Sequence, residues 1–102
     1  MAYGRNKYQS RENRERVRNV LTTEWDPIGV RGIPGSDDEY SSYASRVYVM
    51  LVDERATPEA IASYLIEVAT NRMGLSASPT LVARSERTAR LLFDLRPGFE
   101  IH

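Results

Sequence analysis

The 102-residue chain has no cysteine, and its single histidine, His102, is the last residue. Without cysteine there are no disulfide frameworks, zinc–cysteine sites, CxxC redox pairs or thiol nucleophiles. A catalytic triad needs an imidazole held in place, and a terminal residue holds nothing in place. Histidine-based metal centres are disfavoured for the same reason, and no cofactor is expected. Long apolar runs are also missing. The longest, Val47 to Val52, is core-sized, whereas a membrane span needs about 18 apolar residues or more. The leading segment MAYGRNKYQSRENRER has no apolar stretch of the kind a signal peptide carries. A cytoplasmic protein with no membrane role is expected. An excess of one charge is lacking too: 14 basic residues balance 14 acidic ones, which weakens a nucleic-acid reading. The glycine-bearing segment GVRGIPG has no strand before it and no Lys-Ser pair after it, so it matches no nucleotide-binding loop.

What is present is ordinary globular material. Hydrophobic residues make up 41% and charged residues 27%, which suits one folded domain. The charges are unevenly spread. Residues 1–19 hold six arginines and lysines against Glu12 and Glu15, while residues 20–60 hold eight acids against Arg31, Arg46 and Arg55. Such a split suggests a dipolar surface that steers a charged partner, or an N-terminal helix resting on the acidic region.

Apolar spacing predicts an all-α compact bundle of four amphipathic helices with a long ordered loop between the first two. Residues 1–9 read as a flexible basic arm, 10–96 as the helical domain and 97–102 as a tail. The first helix is expected from about Arg11 to Trp25, with Ser10 as its cap and Val17, Val20, Leu21 and Trp25 as its apolar stripe. Asp26-Pro27 ends it, because proline disfavours the α conformation in the residue before it. Ser36-Asp37-Asp38-Glu39 has the form of a capping box and predicts a second helix carrying Tyr40, Tyr43, Ala44, Val47 and Leu51 inward. Thr57-Pro58-Glu59 opens the third, with Ile61, Leu65, Val68, Ala69 and Met73 buried. Gly74 suits the left-handed residue beyond its end. The fourth runs from about Pro79 to Leu95 behind a Ser78 cap, with Val82, Ala89, Leu92 and Phe93 inward. Arg96-Pro97-Gly98 is expected to stop it.

Three groups of residues offer chemistry, each beside a plainer role. Asp26, Asp38 and Glu39 supply oxygen ligands for a hard cation, or carboxylates for hydrolysis. They serve equally as helix caps and dipole partners. Arg11, Arg14 and Arg18 share one helical face that would suit phosphates, or is simply solvated. Trp25, Tyr40 and Tyr43 are aromatic types favoured at interfaces, and are also natural core residues.

Three pieces of the sequence together resemble a known family. Trp25-Asp26-Pro27-Ile28-Gly29-Val30, then Asp38-Glu39-Tyr40, then Met73-Gly74-Leu75 look like the WDPIGV, DEY and MGL segments of a family of small bacterial proteins grouped as a domain of unknown function. The resemblance spans about residues 14–95. It departs at Ser41-Ser42, where relatives often carry an acid, and in the basic arm. It implies a helical fold and no particular activity. Small bacterial proteins of this class often act as immunity proteins that bind a toxin. The expected function is therefore non-enzymatic protein binding, with an immunity role as its narrower form. Trp25, Asp26, Asp38, Glu39, Tyr40 and Tyr43 are the candidate binding residues. Tyrosines left exposed would also allow a homodimer.

Overall fold

The computed structural model describes residues 7–29 and 39–99. Among these residues four α-helices make up the architecture: α1 Lys7–Val20, α2 Ser41–Val52, α3 Pro58–Glu67 and α4 Pro79–Phe99. A π-helical turn, Leu21–Trp25, continues α1, and another, Val68–Arg72, continues α3. The all-α bundle expected from apolar spacing is the fold observed, and there is no strand among the described residues. No helix among them is long and apolar enough to cross a membrane.

Local chemistry explains several boundaries. Thr57 caps α3 by accepting the Ala60 N–H at 3.1 Å, and Pro58 occupies the first turn, where its missing N–H costs nothing. Ser78 caps α4 in the same way, through the Leu81 N–H at 3.1 Å. Gly74 has φ +74° and lets the Leu75 N–H turn back onto the Ala69 carbonyl at 3.0 Å.

Three boundaries correct the sequence expectation. Ser10 is not a cap, since α1 is already helical at Lys7, three residues inside the supposed arm. Helix α2 begins at Ser41, with Glu39 and Tyr40 in a turn before it; the expected Ser36 start and Asp38 lie outside the described residues. Helix α4 does not stop at Arg96 but continues through Pro97 to Phe99. Pro97 removes one helical N–H, yet it stands so near the end that little ladder is lost. Burial of Phe99, which has no exposed surface, favours the extension.

The two π turns have a shared feature. In the first, the Asp26 N–H reaches back five residues to the Leu21 carbonyl at 2.8 Å; in the second, the Met73 N–H reaches the Val68 carbonyl at 3.0 Å. Thr22 and Thr23 donate their hydroxyls to the Arg18 and Asn19 carbonyls, and Thr70 donates to Ile66. Threonine back-bonding competes with the ladder for the same acceptors and bends helices. In both places the ladder widens within the same turn.

The core is assembled from one stripe per helix. Val17, Leu21 and Trp25 meet Val47 and Leu51 of α2, Ile61 and Leu65 of α3, and Ala89, Leu92 and Phe99 of α4 within one buried cluster. The α4 stripe is rotated from the expected one. Leu81, Ser85, Thr88, Ala89 and Leu92 face inward, while Val82 and Phe93 are only partly buried. Ser85 owes its inward place to the Trp25 indole N–H, which it accepts at 3.1 Å. Thr88 has no such reason: its hydroxyl is buried without a hydrogen-bond partner among the described residues. An unpaired buried hydroxyl loses its hydration with no return. Thr88→Val, which keeps the shape, is expected to raise unfolding free energy by about 1 kcal/mol. Urea unfolding measures it; an unchanged or lower midpoint would show that the hydroxyl is satisfied.

Candidate functional site

Of the expected site residues, Trp25, Asp26 and Tyr40 come together, as a structural clasp. The first π turn delivers Trp25 to the core with no exposed surface, and Tyr40 is 1% exposed. Their rings lie 5.5 Å apart at a tilt of 53°. Asp26 follows in the left-handed region, at φ 34° and ψ 57°. That conformation is costly for a residue with a Cβ. It turns the Asp26 carboxylate to the Tyr40 hydroxyl, which donates to Oδ1 at 2.8 Å. The same hydroxyl accepts a long bond from the Ile28 N–H at 3.5 Å. The Trp-Asp-Pro-Ile segment is thus pinned to the start of α2. Trp25 and Tyr40 present no face to a partner. Tyr43 is half-buried, and Glu39 is exposed.

Burial pushes the Tyr40 hydroxyl well above its ordinary value of 10, and the hydrogen bond to Asp26 adds to the shift. Burial likewise raises Tyr64, against the opposing charges of Arg72 and Arg46. In both cases the folded state keeps a proton that the unfolded chain releases near pH 10. The stabilisation is therefore complete below that pH and is lost as pH rises beyond it. Each group contributes a slope of at most about 1.4 kcal/mol per pH unit. Tyr40→Phe removes the Asp26 bond and should cost about 1.5–3 kcal/mol at neutral pH. Its stability should also fall less steeply above about pH 10 than the wild type's. Parallel alkaline limbs in chemical denaturation would show that Tyr40 ionises freely in the fold.

Among the described residues the acids do not gather into a metal centre. Asp26 is engaged by Tyr40, and Asp38 lies outside the described residues. Among the described residues, no group of three or more His, Asp or Glu side chains is placed to hold a cation. Arg11, Arg14 and Arg18 do share a hollow of about 170 Å³, lined also by Glu15 of their own helix and by Ser41 and Ser45 of α2. Glu24 pairs with Arg87 at 3.3 Å beside a second polar hollow next to Trp25.

One concavity was not legible from the sequence. Between α3 and α4 runs a groove of about 670 Å³. Its lining combines the apolar Pro58, Ala62, Ile66 and Ala83 with the charged Glu59, Glu86, Arg87 and Arg90; Ala62 is buried, Pro58 and Ile66 are half-buried, and Ala83 is exposed. On α3 the lining side flanks the buried stripe, and on α4 it is the exposed side of the helix. Small residues, alanine on both helices and Ser63, keep the groove open. The pattern is hidden in sequence because it consists of scattered alanines between charges, which also describes a solvated helix face.

No protein-family model, curated protein or solved structure matches this chain.

Proposed function

We propose that this chain is a non-enzymatic protein-binding module that takes its partner in the α3–α4 groove. The lining of the groove supports this reading: the apolar Ala62, Ile66 and Ala83 lie among four charged residues. Protein interfaces likewise combine apolar with polar residues. A groove between two helices accepts a third helix laid along it, with small residues allowing close approach. No residue of the groove favours the narrower immunity role over any other protein partner. Ala83 is exposed, so Ala83→Trp should fill the groove without disturbing the core. Purified protein immobilised as bait should retain a specific protein, itself included, and Ala83→Trp should lose it. An Arg55→Ala control, altered in the loop between α2 and α3, should retain it. Equal retention by the Trp variant, or retention of nothing by the wild type, would refute the reading.

A further inference from the structure

We infer that the groove's occupant is a second copy of this chain, bound about a two-fold axis with the two α4 helices antiparallel. The inference rests on the protein-binding reading above and names its partner. Four groove residues of α4 carry it: Ala83, Glu86, Arg87 and Arg90. Their spacing of three, one and three is the same read in either direction. A two-fold axis between Glu86 and Arg87 therefore sets Ala83 opposite Arg90 of the other copy and Glu86 opposite Arg87. Glu86 also comes within one helical turn of the other copy's Arg90. In an isologous interface every such pairing occurs twice.

The mixed charges of the groove suit such an occupant. The lining holds two acids, Glu59 and Glu86, and two bases, Arg87 and Arg90. A partner dominated by one sign meets as much repulsion as attraction there, whereas an inverted copy of the α4 lining meets opposite charge. Glu59, Glu86 and Arg90 have no ion-pair partner among the described residues, and Arg87 makes one exposed contact at 3.3 Å. Ala83 on α4 lets the helix axes come close. Leu91, one turn after Arg87, is 39% exposed and is one of the two exposed large apolar side chains among the described residues. It borders the same face and would lose solvent on pairing.

A charge exchange tests this. Sedimentation equilibrium of the full chain should show a concentration-dependent dimer. Arg90→Glu alone sets Glu86 of each copy against a carboxylate at position 90 of the other. Glu86→Arg alone sets Arg90 of each copy against a guanidinium at position 86 of the other. Each should weaken self-association by roughly tenfold or more. Mixed one to one, the two variants should form a heterodimer that associates more tightly than either variant alone but less tightly than the wild type, because both 86–90 pairs are restored, one of them in opposite sense, while one of the two 86–87 pairs sets arginine against arginine. Both positions are exposed, so unchanged circular dichroism and thermal melting would show that each variant folds. A monomeric wild type, variants with unchanged association, or a mixture that fails to pair would each overturn the inference. A monomer that still retains a different protein, and loses it on Ala83→Trp, would overturn the dimer while leaving the protein-binding function intact.

Discussion

Phe99→Ala is expected to lower the unfolding free energy by about 3–5 kcal/mol, a large part of what a domain of this size possesses. Phe99 is the last described residue of α4 and has no exposed surface. Its ring meets Tyr48 of α2 edge-on, with centroids 5.5 Å apart and planes at 68°. The Arg16 guanidinium of α1 lies 5.5 Å from the ring centroid. One side chain thus ties the end of α4 to both α1 and α2. Tyr48 in turn accepts from the buried Asn13 amide at 3.3 Å, so the loss of the ring also loosens a buried polar contact. Urea unfolding would give the value. A cost below about 1 kcal/mol would mean that the end of α4 behaves as the detachable tail suggested by Pro97-Gly98.

That residue also shows where the sequence is misleading. Proline followed by glycine is a strong local stop signal, and it fails here because the phenylalanine beyond it has a non-local site to fill. Cap chemistry was legible because it is local: Thr57 with Pro58, Ser78 and Gly74 each act on groups within a few residues of themselves. The purely apolar stripes were largely legible, as with Ile61, Leu65 and Val68, although Val20 and Met73, expected in such stripes, are only partly buried. On α4 the stripe includes Ser85 and Thr88, and the polar pair shifted the apparent inward face towards Val82 and Phe93. Ser85 faces inward on account of an indole far away in the chain, which no spacing reveals. The π turns leave only the threonines as a trace. Among the candidate site residues, the clasp of Trp25, Asp26 and Tyr40 was visible as a set of unusual residues, but not as a set of contacts. Whether such a set faces solvent or the core depends on tertiary packing. Here the left-handed backbone at Asp26 decides, by turning the carboxylate to the Tyr40 hydroxyl while the indole stays inside.

Trp25→Ala separates those alternatives most sharply. In the fold the indole is fully buried, packs on Tyr40 and donates to Ser85. Removing it opens a cavity the size of the largest side chain in the core and strips the Ser85 hydroxyl of its donor. It also takes away the ring against which Tyr40 holds the Asp26 carboxylate. A cost of about 3–5 kcal/mol is expected, at the upper end for such a deletion because a polar group is orphaned with it. Trp25→Phe should recover most of the packing and leave Ser85 unpaired, at a cost of about 1–3 kcal/mol. The loss should appear as an earlier urea midpoint for both variants. At temperatures where the variants remain folded, groove-dependent association should persist, since Trp25 lies outside the α3–α4 groove. Wild-type stability with abolished association would instead place Trp25 at an interface, and would reverse the assignment of core and binding surface made from its burial.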